Sequence, residues 1–317
     1  MIQISLIIPV FNGELYIEKC INSCLNQDIE LAEYEIIIVN DGSTDTTEEI
    51  LQNFKKHSNV TIVAQQNLGL GEARNEGLRR ANGQHVWFID ADDWIAENCL
   101  ADLMLALGES DITRILSTEV NHFSTAAEQM IDKKNTIVSG IEYMKSDFRV
   151  CIYFYIFNRD FLVKHKLKFM PLIFEDFEFM PRALFFAQKI KTLNQLIYFR
   201  LIRPNSIMRT VSVNKPYHLL EIIYSLKYFA FKNVKAKEHY IFNRLISVAI
   251  NNYLNTTLVL DANHQVLLNK QLYENKALFI HLVKSRKIKY IAEGILFYFF
   301  PKKTLFLYKT LNYSVKN

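Results

Sequence analysis

Four almost continuously apolar runs constrain this chain more than anything else in it. Residues 2–10, 34–40, 60–65 and 86–89 are apolar along most of their length rather than at alternate positions. A strand wetted on one face alternates, whereas a continuous run is buried on both faces. Helical patterns at residues 15–25, 45–57 and 72–81 separate the runs. This rhythm predicts an α/β fold with a mainly parallel sheet and helices on both faces. In such sheets ligands sit outside the carboxyl ends of the strands, and Gly13, Gly42 and Gly69 each lie close behind one of these ends.

The fourth run closes on Asp90-Ala91-Asp92-Asp93, three carboxylates in four residues. Several negative charges at the end of a buried strand are costly unless a cation or hydrogen bonds compensate. Oxygen ligands of this kind suit Mg²⁺ or Mn²⁺, which bind through one or two carboxylates together with substrate phosphates. An acidic turn in which Asp93 caps a helix over residues 97–107 remains the competing account. Adjacent strand ends bring Phe11 and Asp41 to the same crevice, an aromatic for a base ring and a carboxylate for a base N–H, although Asn40-Asp41-Gly42 also reads as a turn and helix cap. Gly69-Leu70-Gly71 lacks the third glycine of a dinucleotide loop, since Arg74 stands there. Arg74, on the first turn of the third helix, can instead reach an anionic or carbonyl group in the crevice.

After residue 107 the pattern loosens into strands at 112–118, 136–138 and 151–157, a helix at 176–187 and a strand at 191–200. From residue 216 helical stretches dominate, at 217–231, 238–253 and 272–283, which divides the chain into a sheet domain of residues 1–215 and a helical region of residues 216–317. Half of the 317 residues are hydrophobic, enough for a large core without disulfides, so Cys20, Cys24, Cys99 and Cys151 read as buried thiols of a reducing compartment. The chain enters strand-like sequence without a charged leader, and a cytoplasmic body is expected. Charge is uneven: residues 284–317 carry eight Lys or Arg against Glu293 alone, +7, which leaves −3 on the rest of a chain of net +4. Aromatic residues 297–300 and the run 305–308 sit among these cations. That pattern predicts peripheral association with an anionic membrane surface and gives no nucleic-acid motif.

The motifs together resemble the family 2 glycosyltransferases, nucleotide-sugar enzymes with a GT-A fold. The resemblance rests on residues 5–12, 36–45, 67–69 with 73–75, 81–83 and 90–93, then on Glu175-Asp176-Phe177-Glu178-Phe179 and Arg203-Pro204-Asn205-Ser206-Ile207. It implies that Pro9, Val10, Phe11, Asn12, Glu14, Asp41, Asn67 and Arg74 lie around the nucleotide, with Asp41 and Arg74 at the pyrimidine. It places Asp90 at the ribose and Ala91 beside the nucleotide, Asp92 of the Asp-x-Asp motif on the metal, and Arg203 with Ser206 over the leaving phosphate. Asp176 is implied as general base, kept ionised by its helix N-terminus, and Glu175 as its helper. Phe11, His85 and Phe174 depart from the family's usual residues, the last of them just before the acidic pair.

The expected activity is inverting transfer of a sugar from a nucleotide-sugar, a UDP-sugar, to an acceptor hydroxyl with Mn²⁺ or Mg²⁺ as cofactor. The expected acceptor is a lipid-linked glycan of a bacterial surface polysaccharide, met at the inner face of the cell membrane. A nucleotidyltransferase and a non-catalytic sugar- or membrane-binding module are the alternatives.

Overall fold

The computed structural model describes residues 1–120, 136–146, 148–203, 210–300 and 304. The chain divides into two compact units, Met1–Ser206 and Ile207–Asn317.

In the first unit, β1 (Ile4–Val10), β2 (Tyr34–Asn40), β3 (Val60–Ala64) and β4 (His85–Phe88) follow the apolar runs. Every residue of β1 and β2 is buried, as strands covered on both faces must be, while edge strand β3 is partly exposed. They pair in parallel in the order β3-β2-β1-β4. Helices α1 (Ile17–Leu25) and α2 (Thr47–Gln52) step the chain outward from β1, and α3 (Leu70–Arg80) carries it back across β1 to β4. Right-handed crossovers therefore put α3 on the face opposite α1 and α2. The reversal opens a crevice between the carboxyl ends of β1 and β4.

The sheet then continues in mixed sense. β5 (Trp94–Ile95), α4 (Leu100–Leu107), β6 (Ile112–Val120), β7 (Thr136–Val138) and α5 (Gly140–Lys145) lead to a 3₁₀ turn and β8 (Tyr155–Asn158). After them come α6 (Arg159–Lys164), α7 (Glu175–Phe186) and β9 (Ile190–Leu201). β8 runs antiparallel between β4 and β6, and β9 lies parallel to β6 and antiparallel to β5 and β7. The helix expected over 97–107 starts only at Leu100, because β5 first takes Trp94 and Ile95 into the sheet.

The second unit is helical: α8 (Asn214–Asn233), α9 (His239–Leu258), α10 (Ala262–Glu274), α11 (Phe279–Val283) and α12 (Ile288–Phe299). The stretch expected as one helix over 272–283 is broken at Asn275, and α10 precedes it. Asp261 starts α10 by accepting hydrogen bonds from the Asn263 and His264 amides. The four cysteines are free thiols, Cys151 half-buried and the others buried.

Candidate functional site

The register of the parallel strands assembles the crevice. Ile7 pairs with Phe88 and Val10 with Asn40, so Phe11, Asp41 and Asp90 emerge from neighbouring strand ends. The amides of Ile89 and Asp41 extend the pairing by donating to the carbonyls of Ile7 and Val10, at 2.9 and 2.8 Å. Pro9 and Val10 are buried in β1, and Phe11, 48% exposed, presents its ring at the mouth.

Asn12 and Glu14 turn their side chains to the neighbouring loop. Asn12 Oδ1 accepts the Thr44 amide at 2.8 Å, and Glu14 Oε2 accepts the Thr46 hydroxyl at 2.7 Å. Asp41 is buried and accepts from Gln65 Nε2 at 2.7 Å and from the Leu68 and Gly69 amides at 2.9 Å each, so its carboxylate moulds the loop ahead of α3. Gly42 makes this loop possible: its φ is +72°, and a Cβ there would sit 2.8 Å from the Asn67 nitrogen. Asn67 itself is exposed.

Each acid of the β4 turn has its own partner. Asp90 Oδ1 accepts from Arg74 at 2.7 Å, while Asp92 Oδ2 accepts from Arg203 Nε at 2.5 Å. Asp93 does not cap α4. It is buried, accepts the Tyr198 hydroxyl at 2.7 Å and the Leu201 amide at 2.9 Å, and so fastens the turn to β9. Burial, then the charge of Asp90, pushes the Asp92 carboxyl above its ordinary range. Asp93 is pushed well above for the same reasons, with Asp92 adding to them. Ala91 is half-buried between these acids, and Ser206 lies outside the described residues.

The second acidic group arrives on α7. Phe179 stacks on Phe169 at 4.0 Å between centroids, and Phe169 meets Phe88 of β4 edge-on at 5.2 Å. Asn75 of α3 exchanges two 2.9 Å hydrogen bonds with the Phe169 backbone. Gly71 allows this approach, since a Cβ there would lie 2.4 Å from the Met170 carbonyl oxygen. Phe174 then turns the chain into α7 with φ +68° and ψ +37°, a left-handed conformation that costs about 1–2 kcal/mol outside glycine.

Glu175 comes out of this turn buried and paired with Arg74, whose guanidinium thus bridges Asp90 and Glu175. Arg74 is 2% exposed, and its Nε makes no protein hydrogen bond. The expectation that a helix N-terminus keeps Asp176 ionised is not met. Burial, together with the charge of Glu175, pushes its carboxyl up to about 8 despite the attraction of Arg74.

Among the described residues no group of three or more His, Cys, Asp or Glu is arranged to enclose a metal ion. Asp92 at the crevice nonetheless fits a Mg²⁺ or Mn²⁺ that takes one carboxylate and completes its shell with phosphate oxygens and water. Sequence reasoning missed Tyr198. Its hydroxyl accepts the Asp90 amide at 3.1 Å while donating to Asp93, and its ring stacks on Tyr153 at 4.8 Å. A tyrosine inside a strand carries no signal that separates it from core packing.

The sequence model of glycosyl transferase family 2 matches residues 5–154. The chain is 31% identical over 218 residues to EpsH of Bacillus subtilis, covering 65% of this chain and 62% of that protein. It is 34% identical over 125 residues to the poly(ribitol-phosphate) beta-N-acetylglucosaminyltransferase TarS of Staphylococcus aureus, 38% of this chain and 22% of that one. The chain thus spans less than two thirds of the length of these curated relatives. Among solved structures, S. aureus TarS 1–349 in complex with UDP-GlcNAc superposes with a TM-score of 0.74 at 22% identity, over 99% of this chain and 92% of that chain. The likeness is one of fold, the GT-A type.

Proposed function

Over residues 5–154 the chain belongs to glycosyl transferase family 2, and from that premise we propose that it moves a sugar from a UDP-sugar to an acceptor hydroxyl with inversion at the anomeric carbon. The observation that carries this reading is the Arg74 bridge, which holds the acids of the β4 turn and the acidic start of α7 around one crevice.

The nucleotide lies across the ends of β1, β2 and β4, with its base beside Phe11 and the loop that Asp41 shapes, in reach of Asn67. Arg74, held between Asp90 and Glu175, stands on the base side of the nucleotide. Pro9 to Asn12 and Glu14 form the floor and rim, and Asp90 with Ala91 faces the ribose. Asp92 holds a divalent cation, Mn²⁺ or Mg²⁺, which when bound neutralises diphosphate charge. Arg203, already beside Asp92 and stacked 5.3 Å from the Tyr16 ring, moves its charge to the leaving diphosphate, joined by Ser206.

Asp176 accepts the acceptor hydroxyl's proton as the new bond forms, a step in which a positioned base contributes about 10² to 10⁴ in rate. Glu175, fixed by Arg74, orients the acceptor. A single displacement from an α-linked donor gives a β-linkage.

The acceptor in this reading is a lipid-linked glycan of surface polysaccharide synthesis, and the enzyme works at the inner face of the cell membrane, with residues 284–317 contributing to attachment. The relatedness to TarS, named for a poly(ribitol-phosphate) acceptor, supports a polymer acceptor. Among the described residues no helix is long and apolar enough to cross a membrane.

The reading is tested by UDP release from UDP-sugars with Mn²⁺ or Mg²⁺, in the parent and in Asp92→Asn and Asp176→Asn. Loss in both variants, and in the parent under chelation, is expected. Full activity in either variant overturns its assignment.

A further inference from the structure

The second unit turns aromatic and aliphatic side chains outward. On α8 the exposed residues Tyr224, Tyr228 and Phe231 recur at intervals of four and three, one stripe along the helix, and Phe231 is 82% exposed. Lys227 and Lys232 stand with the stripe, the Lys232 ammonium 5.9 Å from the Tyr228 ring. On α12, Gly294 and Phe297 face inward, Phe297 stacking on Phe279 at 4.8 Å. The other side of α12 carries Ile288, 87% exposed, with Ile295 and Phe299, 67% exposed. A helix apolar on both its inner and outer faces is not one that water alone covers.

A hydrogen bond joins α8 to the segment ahead of α11, and cations stand near both helices. The Tyr224 hydroxyl donates to Asn275 Oδ1 at 2.6 Å, which ties the α8 stripe to the segment entering α11. His281 on α11 is pushed down to about 4, first by burial and then by the charges of Lys227, Lys284 and His239. Arg286 lies 4.2 Å over the Tyr240 ring, ahead of Lys287 and Lys289.

We propose that the Tyr224–Tyr228–Phe231 stripe of α8 and the outward face of α12 together dock this unit on an anionic lipid surface. Tyrosine and phenylalanine among lysines is the composition of a face that lies in a headgroup layer, apolar bodies inward and cations at the phosphates. Charge argues against a second copy as the occupant, because a self-complementary contact would set these cations against their own equivalents. An anionic bilayer supplies opposite charge and apolar depth together. The sequence pointed only to residues 284–317, and α8 extends the surface to a helix that begins seventy residues earlier.

The test is flotation of the full chain with vesicles of phosphatidylcholine, alone or mixed equally with phosphatidylglycerol. Binding to the mixed vesicles is expected to be at least about tenfold stronger and to be released by high salt. Phe231→Ser combined with Tyr228→Ser, and separately Phe299→Ser, each lower binding about tenfold, and Lys227→Ser about fivefold, at about 1 kcal/mol per cation near the surface. Unchanged melting temperatures show that the variants are folded, as exposed positions allow. The proposal is overturned if the α8 variants float like the parent, or if binding ignores phosphatidylglycerol. It is also overturned if the parent is a dimer that Phe231→Ser dissociates, which would assign the face to a second copy. No donor is present, so failure here and failure of the transferase reading are separate results.

Discussion

Asp176→Asn removes a carboxyl that the fold holds at a cost. The group ordinarily titrates near 3.8 and is pushed up to about 8 here, first by burial and then by Glu175. Below pH 4 it is protonated in the folded and unfolded chain alike and affects stability little. Between pH 4 and 8 the unfolded chain gives up the proton that the folded chain keeps, so stability is progressively lost as pH rises, and the full penalty stands above pH 8. About four units at ~1.4 kcal/mol each set a ceiling of about 5–6 kcal/mol. Partial solvent access to Asp176 reduces the expected figure to about 2–4 kcal/mol. Asparagine keeps the shape without the ionisation. Urea unfolding at pH 8 is therefore expected to show the variant more stable than the parent by that amount, with the two converging toward pH 4.5. UDP release falls about 10²- to 10⁴-fold in the same variant. An equal stability difference at both pH values, or a less stable variant at pH 8, would refute the reasoning, since it would mean that Asp176 is ionised and favourably paired.

Glu175→Gln lifts a like charge from Asp176. A pair 4 Å apart at an effective dielectric of 20 gives a ceiling of about 4 kcal/mol, and because Arg74 already offsets Glu175, a fall of about one unit in the acid limb of kcat/KM is expected. An unmoved limb in a pH-rate profile contradicts it. Gly71→Ala drives a Cβ into the Met170 carbonyl and costs about 1–3 kcal/mol, read as a lower melting temperature. Tyr198→Phe leaves the Asp90 amide and Asp93 without their shared hydroxyl, a loss of about 1–3 kcal/mol in urea unfolding. UDP binding by calorimetry should be at least about tenfold tighter with Mn²⁺ than with chelator; equal affinities would remove Asp92 from the metal.

The parts of the fold that the sequence announced are those specified by neighbouring residues. Runs buried on both faces cannot be hidden by context, so β1, β2 and β4 and the crevice at their ends were legible, with Phe11, Asp41 and Asp90 beside it. What stayed hidden depends on pairing between distant segments. Arg74 finds Glu175 across 101 residues, and Asp93 finds Tyr198 across 105, through a β9 whose register with β6 shifts near Leu116. A short-range pattern offered Asp93 a helix to cap; β9 offered it a buried hydroxyl and an amide. Two outward apolar residues, Val266 and Leu267, blurred the period of α10 in the same way.

The raised carboxyls of Asp92 and Asp176 share a physical origin. Around the crevice Asp90, Asp92, Glu175 and Asp176 face Arg74 and Arg203, four acids against two cations, in a site that burial has partly emptied of water. Arg74 is spent on Asp90 and Glu175, and Arg203 rests on Asp92. A diphosphate entering alone would add negative charge to a deficit that the protein has not filled, and it would have to draw Arg203 away from Asp92 to be held. In the reading proposed above, Asp92 would hold a divalent cation that arrives with the diphosphate, which would relieve both difficulties by taking the place of Arg203 beside Asp92 and leaving that guanidinium free for phosphate.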